Sequence, residues 1–241
     1  MNGIEDNAFA RNWQELASKI PRPKAILCVS AHWETSGTQV TAMPHPRTIH
    51  DFGGFPEELY RLQYPAPGSL ELARTVQTLL NGIPVHLDIQ WGLDHGAWIV
   101  LRRMYPLADI PVCQLGLDYE KDPSAHFYVA QKLVALRQQG ILILGSGNIV
   151  HNLGVMNFSG DEFLWAKTFD AAAAKLIEEG AHAQLIDYPA IRYVELAVPT
   201  NEHYLPLLYV LGVQKKTDHV SFSTESIMMG SVGMRCVLLS S

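Results

Sequence analysis

The chain has 241 residues, a formal net charge of −6 at pH 7, and 48% hydrophobic against 17% charged residues. This length fits one large α/β domain, and the apolar content excludes global disorder. The slight acidity offers no basic surface for nucleic acid or an anionic membrane, and no apolar run approaches the roughly 20 residues that span a bilayer. The polar first residues predict no signal peptide, and three widely separated cysteines indicate reduced thiols in a cytoplasmic protein.

Five short apolar runs predict the strands of a sheet. They are residues 25–30, 84–87, 110–115, 141–144 and 234–239. Continuous apolar strands of this length are typical of a sheet that is buried on both faces.

Helical patterns alternate with these strands. Ser69 is predicted to cap a helix with apolar residues at 72, 76, 79 and 80, and Ser124 to cap a helix that continues to residue 136. An alanine-rich helix is predicted over 166–179 with Gly180 as its C-cap, and a short apolar helix over 203–211. The alternation predicts a single-domain α/β fold, with a mixed or mostly parallel sheet flanked by helices on both faces. Ligands of such folds bind beyond the carboxyl ends of the strands.

Five of the ten histidines lie at or near the ends of predicted elements. His32 follows the first strand by two residues, and His151 follows the strand that ends at residue 144 through a glycine-containing turn. His95 follows an aspartate that could orient its imidazole. His203 opens a helix, and His50 lies in a glycine- and aromatic-rich loop that could line a cavity. The others have no such context and are expected to be structural or solvated: His45, His86, His126, His182 and His219.

Common cofactor and hydrolase motifs are missing from the sequence. The Gly-Ser-Gly at 145–147 lacks the third glycine of a dinucleotide-binding fingerprint, and Ser146 does not lie in a G-x-S-x-G elbow. No Walker-type loop, C-x-x-C pair or H-E-x-x-H pair is present. Imidazole ligands without a thiolate suit Zn, Fe, Cu or Ni, and a catalytic site needs only about three of them.

The motifs around the histidines resemble those of a known family and occur in the same order along the chain. They are the segments 30–33, 50–56, 64–68, 92–98, 145–153 and 201–212, and they follow one another over essentially the whole chain. The sequence is similar to the class III extradiol ring-cleavage dioxygenases (LigB-like), and within them to the bacterial and plant 4,5-DOPA extradiol dioxygenase branch. The resemblance implies one catalytic domain over residues 1–241 that inserts both atoms of O2 into a catechol such as DOPA.

The resemblance also implies a mononuclear metal, with Fe(II) expected in function and Zn(II) as an alternative bound metal. On this pattern His32 and His203 are metal ligands, and His151 is a further ligand or an acid/base group. His95 matches a second acid/base histidine of the family. A histidine that is neutral near pH 7 suits removal of a catechol proton, a role for His151 or His95.

Aromatic side chains near these histidines would wall the catechol ring and exclude water. They are Trp33, Phe52, Phe55 and Trp98, although Trp98 fits an ordinary core position at least as well. We predict His50, Phe52 and Trp33 as the substrate-binding residues.

One departure from the family concerns the first residues. Family members begin with a strand and a Gly-His-Gly-Ser-Pro-Met stretch whose histidine is the first metal ligand. Residues 1–7 here match the sequence that starts at that methionine. We therefore expect either a truncated chain or a metal held by His32, His151 and His203. Truncation is favoured, because every other motif is intact.

Two other functions fit the same histidines. A Zn-dependent hydrolase on a related α/β scaffold would use them equally well, because sequence does not separate the two metals. The second alternative is a metal-binding homologue without enzymatic activity, and the missing first metal ligand favours it. The predicted partners are a small-molecule catechol and O2, with no nucleic acid and no membrane. The sequence is consistent with either oligomeric state, a monomer or a homodimer.

Overall fold

The computed structural model describes residues 2–240. Its helices are α1 (Ala8–Lys19), α2 (Glu57–Arg61), α3 (Leu70–Leu79), α4 (His95–Met104), α5 (Pro123–Lys132), α6 (Ala135–Gln138), α7 (Leu164–Glu178), α8 (His182–Ile186), α9 (Val194–Ala197) and α10 (Leu205–Gly212). Its strands are β1 (Ala25–Ser30), β2 (Glu34–Thr35), β3 (Thr38–Thr41), β4 (Val85–Asp88), β5 (Val112–Gln114), β6 (Leu117–Asp118), β7 (Ile141–Ser146), β8 (His219–Ser223), β9 (Ile227–Met228), β10 (Val232–Gly233) and β11 (Cys236–Ser240). Short 3₁₀ helices lie at Leu153–Val155 and Tyr188–Ala190. Within residues 2–240, no helix is both long enough and apolar enough to cross a membrane.

A three-stranded parallel sheet in the order β5–β1–β7 lies at the centre of the fold. β1 is buried along its whole length, and its bounds are those that the first apolar run predicts. Its residues pair with β7 from Ala25 opposite Ile141 to Ser30 opposite Ser146. Because the two strands are parallel and in this register, their carboxyl ends lie at the same edge of the sheet.

The remaining strands form two-stranded ladders around this sheet. β3 pairs with β4 and β2 with β6 in parallel, while β8 pairs with β11 and β9 with β10 antiparallel. The predicted runs 84–87 and 234–239 are thus strands outside the central sheet, and the last begins at Cys236. The run 110–115 contributes only Val112–Gln114 to a strand, because Pro111 has no backbone N–H for a ladder.

Two hydrophobic clusters cover the two faces of β1. Leu27 and Val29 belong to the larger cluster, together with side chains of α5, α7 and α10. Ile26 and Cys28 pack in the other cluster with side chains of α4, because successive side chains of a strand point to opposite faces. Helices therefore lie on both faces of a parallel sheet, and the predicted single-domain α/β fold is confirmed.

Local capping signals predict two helix boundaries well. Ser69 accepts a hydrogen bond from the backbone N–H of Leu72 at 3.0 Å, which confirms its role as the N-cap of α3. The alanine-rich helix is α7, which begins at Leu164, two residues before the predicted start. Gly180 lies just beyond its end with φ of +64°, a conformation that glycine adopts without steric cost.

The predicted helix capped by Ser124 differs in the structure. Asp122 is the N-cap, and its side chain accepts a hydrogen bond from the backbone N–H of Ala125 at 2.8 Å. Pro123 occupies the first helical position, where its missing N–H costs nothing, so the helix starts before Ser124. The predicted single helix is divided into α5 and α6.

The sequence patterns do not predict α1 and α4, and they place α10 too early. The side chain of Asn7 caps α1 by accepting from the backbone N–H of Ala10 at 3.0 Å. α4 begins at His95, directly after its N-cap Asp94. α10 begins at Leu205, so the residues immediately before it form a turn rather than helix.

His126 provides a test of the packing between α5 and α10. Its side chain is buried, its Nδ1 is 3.0 Å from the hydroxyl of Tyr209, and its Nε2 has no partner within residues 2–240. Burial, together with the nearby charge of Lys121, lowers the pKa of His126 to about 4. The unfolded chain takes up this proton below about pH 6.5, whereas the folded protein does not until about pH 4.

The contribution of His126 to stability is therefore complete above about pH 6.5 and is lost as the pH falls. We expect the free energy of unfolding to drop between pH 7 and pH 5 by about 2 kcal/mol more in the wild type than in His126→Gln, which does not titrate. Urea unfolding at the two pH values measures this difference. Identical pH dependence of the two proteins would contradict the burial of a neutral imidazole.

Candidate metal centre

Four histidines from separate chain segments converge at the carboxyl edge of the central sheet. They are His32, His95, His151 and His203, called the histidine cluster below. The ring centroids are 3.9 Å apart for His32 and His95, and 5.1 Å apart for His32 and His203. The rings of His151 and His203 stack with centroids 3.5 Å apart. All four are half-buried and line one cavity, so the structure brings together four of the five histidines that the sequence singles out.

The pairing of β1 with β7 brings two of these histidines to one edge. His32 and His151 lie in the loops that follow the two strands. The backbone N–H of His151 donates to the carbonyl of Ala197 at 2.8 Å, and His151 forms an isolated β-bridge with Val232. These backbone bonds hold the loop after β7 in place beside the sheet.

Two glycines at the end of β7 let the segment before α10 approach closely. A methyl group on Gly147 would overlap the carbonyl oxygen of His203, and one on Gly145 would lie 2.6 Å from the carbonyl oxygen of Pro206. Only glycine leaves this space free. His203 reaches the histidine cluster because its backbone can lie against β7.

Asp94 fixes the start of α4, and His95 is the first residue of this helix. Its buried carboxylate accepts hydrogen bonds from Oγ of Ser30 at 2.7 Å and from Nε2 of Gln114 at 2.6 Å. It also accepts from the backbone N–H of Ala97 at 3.1 Å, which caps the helix. The sequence suggests that this aspartate orients an imidazole, but its carboxylate is instead occupied by the sheet and the helix.

Asp51 orients His95. Its Oδ1 accepts from the backbone N–H of His95 at 2.8 Å, and its Oδ2 accepts from the ring Nδ1 at 2.9 Å. The same Oδ2 lies 3.8 Å from Nδ1 of His32. Burial raises the pKa of Asp51, but the hydrogen bonds from His95 outweigh this and hold the pKa below its usual value. Sequence reasoning missed Asp51, whose only local signal is its place directly after His50 in the glycine- and aromatic-rich loop.

Burial and mutual proximity keep three of the imidazoles neutral. Burial, together with the neighbouring imidazoles of His151 and His32, lowers the pKa of His203 to about 2. Burial likewise lowers the pKa of His32 and the pKa of His151. A neutral imidazole keeps a free lone pair, which is the form that binds a metal ion.

Histidine and carboxylate side chains form two sets of three donors. The sets are His32, Asp51 and His95, and His151, Glu202 and His203, and the ligand atoms within each set lie within 4.8 Å of one another. Neutral imidazoles and carboxylates are donors that both Fe(II) and Zn(II) accept. The residues present therefore fit a metal ion, and their chemistry does not separate iron from zinc.

A cavity of about 1080 Å³ adjoins the histidine cluster. Phe52 lines it and makes a T-shaped contact with His95, with ring centroids 5.4 Å apart. Apolar side chains of β7 and β11, including Leu142, Leu144 and Val237, line another part of it. The cavity combines a few imidazoles with largely apolar walls, which suits an aromatic ligand.

Two of the predicted substrate-binding residues lie behind the cavity wall. Trp33 is only 4% exposed and stacks on Trp91, with ring centroids 5.7 Å apart. The Nε2 of His50 donates to the carbonyl of Leu62 at 2.9 Å. Neither Trp33 nor His50 is among the residues that line the cavity, whereas Phe52 is.

Comparisons with known proteins agree on one family. Residues 4–235 match the family described as the catalytic LigB subunit of aromatic ring-opening dioxygenase. A protein of Escherichia coli (strain K12) named 4,5-DOPA dioxygenase extradiol is 49% identical, over 98% of this chain and 90% of its own length. A protein of the same name from Beta vulgaris is 41% identical, over 88% of this chain and 82% of its own length. The crystal structure of an uncharacterized protein from Escherichia coli K12 matches with a TM-score of 0.85 and 43% identity, covering 97% of this chain and 93% of that one.

The close approach at Gly147 can be tested with Gly147→Ala. The added methyl group must displace the backbone of His203, so we expect the free energy of unfolding to fall by about 1–3 kcal/mol and Zn(II) to bind more weakly. Urea unfolding and metal titration measure the two effects. Gly53→Ala is the matched control, because nothing lies within 4 Å of the position that its methyl group would take. Equal stability and metal affinity in the two variants would be inconsistent with this packing.

Proposed function

Because the chain belongs to the family of the catalytic LigB subunit of aromatic ring-opening dioxygenase, we propose that it cleaves a catechol such as DOPA. It is an extradiol dioxygenase, an enzyme that opens an aromatic ring by inserting O2. The convergence of four half-buried histidines beside a largely apolar cavity carries the proposal. The names of the Escherichia coli and Beta vulgaris relatives support DOPA, or a catechol like it, as the substrate.

We assign the metal to the imidazoles of His32, His151 and His203, which combine one member of the first donor set with two members of the second. Burial lowers the pKa of each, so their lone pairs are available at pH 7. We assign Fe(II) rather than Zn(II), because Zn(II) has no redox chemistry. When bound, Fe(II) would act as a Lewis acid on the catechol hydroxyls and would hold the catechol and O2 side by side.

His95 is assigned as the main acid/base group. Its Nδ1 donates to Asp51, which leaves Nε2 as the ring nitrogen that can take a proton from a catechol hydroxyl and later return it. The carboxylate of Asp51 keeps the ring oriented and stabilises the imidazolium that forms. His151, which also lines the cavity, is the second candidate for proton transfer.

The substrate ring would contact Phe52, which lines the cavity beside His95. The other two residues predicted to bind substrate act indirectly in this proposal. Trp33 anchors the chain next to His32 by stacking on Trp91. His50 supports Phe52 from behind, with ring centroids 5.8 Å apart. The apolar walls keep water away from the reacting ring.

The activity can be tested directly. The protein is loaded anaerobically with Fe(II), mixed with L-DOPA and exposed to air. We expect one O2 to be consumed for each catechol, with formation of a yellow ring-opened semialdehyde. O-methylated DOPA is the control substrate, because the methyl group blocks one of the two hydroxyls that a metal would bind. Absence of product from both L-DOPA and protocatechuate, with bound metal confirmed, would overturn the proposal.

The ligand role of His203 has its own test. We expect His203→Ala to lose most of its bound metal and its ring-cleavage activity, because one of three imidazole donors is removed. Metal content after gel filtration is the measurement. Unchanged metal content in His203→Ala would refute the ligand assignment.

The role of His95 is tested with His95→Gln. We expect kcat for L-DOPA to fall about 10²–10⁴-fold with little change in bound metal, because a proton-transfer group is lost while the proposed ligands remain. His45→Gln is the matched control, since His45 is exposed and does not line the cavity. A kcat in His95→Gln equal to that of His45→Gln would rule out His95 as the acid/base group.

A further inference from the structure

Asn148 makes three hydrogen bonds that tie the loop after β7 to His203 and to β10. Its backbone N–H donates to the carbonyl of His203 at 2.9 Å. Its side-chain Nδ2 donates to the carbonyl of Gly233 at 2.7 Å. Its Oδ1 lies 3.0 Å from Nδ1 of His203. Both ends of the carboxamide are therefore engaged.

These partners determine where the ring proton of His203 lies. The carbonyl of Gly233 can only accept a hydrogen bond, so the end of the Asn148 carboxamide that faces it is the NH2 group. The opposite end, which faces His203, is then the carbonyl oxygen, and this atom also only accepts. Nδ1 of His203 must therefore carry the proton, and Nε2 keeps the lone pair.

We propose that Asn148 is a positioning residue that holds His203 in the Nδ1–H tautomer, so that Nε2 is the nitrogen presented to a metal ion. The inference rests on the proposed role of His203 as a ligand. Hydrogen-bond partners of this kind fix the ring of a ligating histidine, and their removal typically weakens metal binding about 10–100-fold.

A carboxamide orients its histidine in a different way from the carboxylate beside His95. Asp51 holds the ring of His95 with a carboxylate, which accepts the hydrogen bond from Nδ1. The carboxamide of Asn148 is neutral, so it fixes the direction of His203 without favouring its protonation. The two partners thus give two imidazoles of one cluster separate tasks, metal binding for His203 and proton transfer for His95.

The tautomer is measured first, in the metal-free full-length protein labelled with ¹⁵N-histidine. The resonances of His203 are identified by their absence from His203→Gln. In the wild type at pH 7 we expect a protonated Nδ1 and an unprotonated Nε2. In Asn148→Leu, which has a similar volume and no hydrogen-bonding group, we expect this preference to be lost. If His203 of the wild-type protein carries its proton on Nε2, the proposal is overturned by that measurement alone.

The affinity is measured next, by competition between the protein and a chelator for Zn(II). We expect Asn148→Leu to bind Zn(II) about 10–100-fold more weakly than the wild type. Asn148→Asp keeps an acceptor for Nδ1 but faces the carbonyl of Gly233 with an oxygen that cannot donate, so we expect its Zn(II) affinity to lie between those of Asn148→Leu and the wild type. Asn157→Leu is the matched control, because the side-chain amide of Asn157 bonds to Asp161 and Ser159 and, within residues 2–240, to no histidine. We expect its Zn(II) affinity to equal that of the wild type.

The two measurements separate this inference from the proposed function. If the tautomer of His203 changes in Asn148→Leu but the wild-type protein binds no Zn(II), the positioning role is supported and the ligand role of His203 is overturned. Zn(II) binding that is lost in His203→Gln but kept in Asn148→Leu, with the tautomer unchanged, would overturn the positioning role alone.

Discussion

The backbone pairing of β1 with β7, from Ala25 opposite Ile141 to Ser30 opposite Ser146, determines where the loops of His32 and His151 meet. Parallel strands in this register end at the same edge of the sheet, so the loops that carry His32 and His151 begin side by side. Glycines at the end of β7 then admit the backbone that carries His203. A larger residue at Gly147 would separate His203 from the sheet and from the other histidines. The site thus depends on a strand register first and on individual side chains second.

The electrostatics of the histidine cluster follow from this crowding. Burial disfavours the charged form of His203, and the imidazoles a few ångströms away add to this effect, so its pKa falls to about 2. Neutral rings suit metal binding, yet proton transfer needs one ring that accepts a proton readily. Asp51 holds His95, the proposed acid/base group, with a carboxylate, whereas Asn148 holds His203 with an uncharged amide. Chemically identical side chains therefore acquire different properties through the groups that hold them.

Much of the fold follows from local sequence. The continuous apolar run of β1 gives its bounds to the residue, and Ser69 caps the helix that its position predicts. Pro123 shifts the start of α5, since proline fits the first turn of a helix better than Ser124 fits the cap. α4 is not predicted although Asp94 caps it locally, because Gly96 in its first turn disfavours a helix, and tertiary bonds to Asp94 help to fix its start. Trp98, equally consistent with a wall or a core position on sequence grounds, is fully buried.

The sequence by itself determined an extensive apolar core, an α/β alternation, and histidines placed after strands or before helices, four of which form the site. Those are local properties of residue type and spacing, so they can be recognised along the chain. Only the tertiary structure decided which groups hold the imidazoles, because Asp51 is 44 residues from His95 and Asn148 is 55 residues from His203. It also decided that Phe52 lines the cavity while Trp33, beside His32 in the chain, turns away to stack on Trp91. Side-chain direction in a loop depends on packing against distant segments, and no local pattern records that packing.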